Sequence, residues 1–126
     1  MQNFPKVTAP LVLSAVLKME YDPAFCRETE TLTAGEKVGV GELVAKVGEK
    51  IVPWDPAASD GSQTVYGLSV DEVETPSGVD NDLCQILVRG PAILSPLQIP
   101  GAWSTATAPQ KAAAIAALEA KNILVR

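Results

Sequence analysis

Between two apolar, β-branched runs lies Pro53–Gly67, PWDPAASDGSQTVYG, a stretch dense in turn formers. Asp55-Pro56 and Asp60-Gly61-Ser62 are strong turn signals, because proline fixes φ, glycine takes φ > 0, and aspartate side chains accept hydrogen bonds from nearby backbone N–H groups. The stretch reads as a structural joint. Trp54, inside the joint, is either a plug in the core beneath the loop or a packing surface for a neighbouring subunit.

The same punctuation runs through the chain from Arg27 onward. Arg27–Leu32 (RETETL) alternates charged residues with threonine, as an edge or exposed strand does. Glycines at 35, 39 and 41 interrupt the chain before Leu43–Val47, and Val47-Gly48-Glu49-Lys50 then reads as a tight hairpin with Gly48 at the position that needs φ > 0. Thr64–Val73 reads as a longer strand in which Gly67 marks a bulge or a close contact. Leu83–Val88 and Ala92–Leu94 follow as further strands, separated by the Arg89-Gly90-Pro91 turn.

The period changes near the C-terminus. Thr107-Ala108-Pro109-Gln110 fits a capping box, with Thr107 as N-cap, Gln110 reaching back and proline in the first turn. An alanine-rich helix follows, with Ile115 and Leu118 as the larger residues of its buried face, and Asn122 is a good left-handed terminator before a last strand, Ile123–Val125. The fold class expected is mainly β (α+β): a compact β-rich domain of short strands, one C-terminal alanine-rich helix and an extended N-terminal arm. The arm is residues 1–27, broken by Pro5, Pro10 and Pro23, and the β-rich domain is residues 28–126. The apolar run Leu11–Leu17 reads equally as a core strand or as a partner-binding segment that adds to a sheet edge of another protein. It is too short to span a bilayer and has no cleavage site after it, so the expectation is a soluble chain made in a reducing cytosol, with no membrane partner.

Composition removes most chemistry. With no histidine in 126 residues, the usual base of serine and cysteine hydrolases and the commonest zinc ligand are both missing. A net charge of −5 without a Lys/Arg cluster argues against direct nucleic-acid binding, which rests on neutralising phosphates. Cys26 and Cys84 are too far apart in sequence for a CxxC pair and read as two buried thiols. Asp80-Asn81-Asp82 with Asp71, Glu72 and Glu74 lacks the fixed offsets of a calcium loop and reads as a solvated acidic turn. No enzyme, metal site or cofactor is expected. One rival is a carrier module: Ala34–Val47 resembles the glycine-punctuated strand pair of biotinyl and lipoyl domains, with Lys50 as the lysine that would receive the cofactor.

From Met19 to Arg126 the chain resembles phage head decoration proteins of the lambda type. The resemblance lies in Glu20-Tyr21-Asp22-Pro23-Ala24-Phe25, Arg27-Glu28, the threonine-rich strand into Gly35, and Gly41-Glu42-Leu43-Val44-Ala45-Lys46, which keeps Gly41 and Lys46 of the family's Gly-Thr-Val-Leu-Gly-Lys. Asp60-Gly61-Ser62-Gln63, Val88-Arg89-Gly90-Pro91-Ala92 and the helix ending in Asn122–Val125 complete it in the same order. Such proteins, the resemblance implies, bind as homotrimers to the major capsid protein above three-fold positions on the outside of the expanded head, and hold it against internal DNA pressure. The resemblance thus implies a virion protein, and the expectation is that the arm makes the capsid contact, through Leu11, Val12, Leu13, Val16, Leu17, Tyr21 and Phe25.

Overall fold

At Val47-Gly48-Glu49-Lys50 the chain reverses on itself, with Gly48 at φ 65°, a conformation that costs other L-residues roughly 1–2 kcal/mol. The hairpin it makes is one corner of the computed structural model, which describes residues 13–76 and 78–126. In chain order the elements are α1 (Leu13–Val16), β1 (Leu17–Glu20), α2 (Pro23–Cys26), β2 (Arg27–Leu32), β3 (Lys37–Val38), β4 (Leu43–Val47), β5 (Lys50–Pro53), β6 (Gly67–Ser69), β7 (Val73–Glu74), β8 (Asn81–Leu87), β9 (Ala92–Leu94), a 3₁₀ turn (Gly101–Thr105), α3 (Ala108–Glu119) and β10 (Ile123–Val125).

Five strands close into a barrel in the order β2-β5-β4-β6-β8. All its pairings are antiparallel except β2 with β5, which meet through Leu32 and Ile51. Closure depends on Gly67, where a Cβ would lie 2.3 Å from the Leu87 carbonyl oxygen; this is the close contact the sequence marked. Outside the barrel, β9 is the middle of a three-stranded sheet, antiparallel to β1 and parallel to β10. A separate ribbon pairs β3 with β7.

Two cores share the barrel wall. Successive side chains on a strand point to opposite faces, so Val44 and Ile86 enter the smaller core with Leu32, Val38, Ile51 and Cys84. Their neighbours Leu43 and Leu87 turn the other way, into the larger core with Val16, Trp54, Leu94, Trp103, Leu118 and Ile123. Burial on both faces explains why Leu43-Val44-Ala45 is a continuous apolar run with no polar alternation.

The expected mainly β class holds, with local differences: β2, read as an edge or exposed strand, is paired on both sides in the closed barrel, and β8 begins at Asn81, inside the stretch read as an acidic turn. Thr64–Val73 is not one strand: Tyr66 N–H bonds to Val44 O at 2.8 Å, Val70 N–H to Gln85 O at 3.2 Å, and only Gly67–Ser69 between them is a strand. The segment changes partner from β4 to β8 at that point, and the Ser69 hydroxyl then bonds to Asp71 O at 2.7 Å and turns the chain. Leu13–Val16 is a helical turn, with the strand beginning only at Leu17. Residues 13–27 are joined to the body through β1, which pairs with β9, and through the buried Val16 and Cys26. On α3 the fully enclosed residues are Ala114 and Leu118, and Ile115 is half-buried. The capping box of Thr107 and Gln110 is present, Asn122 sits at φ 66°, and both support the expected helix and return strand.

Candidate binding surface

The segment singled out for partner contact divides sharply between core and surface. Leu11 and Val12 lie outside the described residues. Val16 is fully buried, and a Cβ on Gly41 would sit 2.6 Å from its Cγ2. Leu13 and Leu17 are half-buried and pack against the same core. Tyr21 and Phe25, by contrast, are 72% and 53% exposed. Among the described residues of this segment, the exposed large apolar side chains are therefore the two aromatics, together with Met19.

Local chemistry fixes that surface. Asp22 caps α2, its carboxylate accepting from Ala24 N–H at 2.9 Å, and Pro23 occupies the first turn where no intrahelical bond is lost. Arg27 grips Glu20 with two parallel bonds of 2.8 Å, tying the end of β1 to the start of β2. The hydrogen bond to Glu20 raises the Arg27 pKa further. Arg89 donates to Phe25 O and to Glu28 while its guanidinium lies over the Phe25 ring at 5.3 Å. The exposed aromatics thus stand on a braced turn.

Elsewhere, polar side chains are engaged in holding the fold. Tyr66 donates its hydroxyl to Glu30 at 2.7 Å, Lys46 pairs with Glu30 at 3.1 Å, and Lys46 and Lys121 lie over the Tyr66 ring at 5.1 and 4.2 Å. Burial, then Glu30, pushes the Tyr66 phenol up; the hydrogen bond to Glu30 raises Lys46; burial, then Lys46, lowers Lys121. Sequence reading missed this quartet because its members are scattered from residue 30 to 121. An open cleft beside Trp54 is lined by Glu36, Asp55, Asp60 and Ser62, but Asp60 is occupied by the Ser62 N–H and hydroxyl at 3.1 and 2.6 Å. Cys26 and Cys84 are free and buried in different cores, and burial pushes the Cys84 thiol up to about 11. Among the described residues no group of three or more His, Cys, Asp or Glu could hold a metal ion.

The carrier alternative fits poorly. Lys50 is not at the hairpin tip, which is Gly48-Glu49, but opens β5 and pairs with Asp80 at 2.7 Å. Trp54 is a core plug: it is buried, its indole N–H donates to Gln63 O at 2.8 Å, and its ring meets Trp103.

Residues 6–123 match the family described as Bacteriophage lambda head decoration protein D. No curated protein matches the chain.

Proposed function

The chain belongs to the family of lambda head decoration protein D, structural proteins of the phage capsid's outer surface, and on that premise we propose that it binds the major capsid protein as a homotrimer at three-fold positions of the expanded head. Bound there, it holds neighbouring shell subunits together against the pressure of packaged DNA. The observation that carries this reading is the family match over nearly the whole chain. Its support from the structure is chemical: a histidine-free body with Arg27 braced on Glu20 and Arg89 on Glu28, and with Tyr21 and Phe25 left exposed.

The capsid contact is made by residues 2–12 together with Tyr21 and Phe25. Three arms from one trimer gain avidity on the order of 10²–10⁴ over a single contact when all engage. Removal of residues 2–12 spares the buried Val16, so the shortened protein folds and loses head binding. The test is to mix the protein with expanded, undecorated heads of its own phage and image them. Added density at three-fold positions supports the reading, and its absence overturns it.

A further inference from the structure

The turn-rich loop contains the chain's one Asp-Gly bond, Asp60-Gly61, and the sequence has no Asn-Gly. Such a bond is open to self-modification, because glycine has no side chain to shield its nitrogen. The Gly61 nitrogen attacks Asp60 Cγ: a C–N bond forms, the carboxyl C–OH bond breaks, and the amide proton leaves with that hydroxyl as water. Water then opens the cyclic succinimide at either carbonyl, which restores aspartate or yields isoaspartate with an extra methylene in the backbone. Asp60 is exposed, so water is at hand.

In the fold both reacting groups are engaged elsewhere. Asp60 Oδ1 accepts from the Ser62 hydroxyl at 2.6 Å and from the Ser62 N–H at 3.1 Å. The hydroxyl bond first, then the N–H bond, holds the Asp60 carboxyl below its ordinary value of 3.8. Its oxygen can leave as water only from the protonated form, which these bonds disfavour. The Gly61 N–H donates to Gln63 Oε1 at 2.8 Å, so the proton that must depart is held as well. The two holding residues are themselves anchored: Ser62 O accepts from the Asp55 N–H at 2.9 Å, and Gln63 O from the Trp54 indole N–H at 2.8 Å. An added methylene at residue 60 would push both off those anchors. We propose that Asp60-Gly61 is a self-modification site kept closed by the fold, with the Ser62 and Gln63 side chains shielding it from isomerisation.

The test follows isoaspartate at residue 60 by enzymatic methylation and peptide mass spectrometry in the full-length protein, incubated at neutral pH and physiological temperature. Folded wild type, Ser62→Ala and Gln63→Ala are compared with wild type unfolded in guanidinium chloride. Hydrogen bonds to a charged group are strong enough that the folded wild type should isomerise roughly tenfold or more slowly than the unfolded chain. Ser62→Ala should isomerise roughly threefold or more faster than the folded wild type, and Gln63→Ala should shift in the same direction. Gln63 is exposed, so its variant decides the matter if loss of the buried Ser62 hydroxyl unfolds the protein. A folded wild type within about twofold of the unfolded chain overturns the proposal, and so does a folded variant at either position that isomerises no faster than wild type.

Discussion

Trp54 and Trp103 meet with ring centroids 6.4 Å apart and planes inclined at 41°. The first comes from the turn-rich loop and the second from the 3₁₀ turn before α3, so the contact joins two segments without a common strand. Each indole is also bound to a carbonyl, Trp54 to Gln63 and Trp103 to Pro96.

Trp54→Ala therefore removes a large core side chain, its aromatic partner contact and the brace on Gln63. The expected loss is about 3–5 kcal/mol in urea unfolding. A loss below about 1 kcal/mol would show that the loop closes over the gap and that Trp54 is no plug.

Two glycines separate space from conformation. At Gly67 an added Cβ meets the Leu87 carbonyl oxygen at 2.3 Å and Ile86 Cγ2 at 2.8 Å, whereas at Gly48 nothing lies within 4 Å and only the positive φ opposes substitution. Gly67→Ala is expected to cost about 3 kcal/mol or prevent folding, and Gly48→Ala about 1 kcal/mol. Equal midpoints in denaturant for the two variants would contradict this account of barrel closure.

Tyr66 offers its hydroxyl and its ring to different partners. Tyr66→Phe loses the bond to Glu30 and keeps both ammonium groups over the ring, for an expected cost of about 0.5–1.5 kcal/mol. Tyr66→Leu loses the cation–π contacts as well and should fall about 1 kcal/mol further. Should the two variants prove equally stable by chemical denaturation, Lys46 and Lys121 contribute nothing through the ring.

The hydrogen bond from Lys50, then the Ala34 N–H, holds the Asp80 carboxyl below its ordinary value of 3.8. A carboxylate depressed in the folded state stabilises the fold above the unfolded pKa and loses that contribution as pH falls through the folded pKa. The stability gap between wild type and Asp80→Asn should thus be full above about pH 5 and shrink below about pH 4. A gap that stays constant down to about pH 2 would assign the bond no ionic character.

What the sequence made legible was whatever is encoded by neighbours along the chain. The Thr107–Gln110 cap, Asn122 at positive φ and the Gly48 hairpin all follow from residue type at a fixed local offset. Reading failed where one residue's role depends on a distant one. Val16 has the composition of a binding segment, yet it is buried beside Gly41, and Thr64–Val73 breaks up because its hydrogen-bond partners change between β4 and β8. Of the residues named for partner contact, Tyr21 and Phe25 are exposed, whereas Leu13 and Leu17, equally apolar in sequence, are half-buried against the core.

Because Leu43 and Val44, like Leu87 and Ile86, leave one strand for opposite cores, melting either core strips a wall from the other. Neither half can open first at low cost, and unfolding becomes a single all-or-none event. In the role proposed above, that wall would give one rupture threshold in place of two, with no partly open form of the protein between bound and broken.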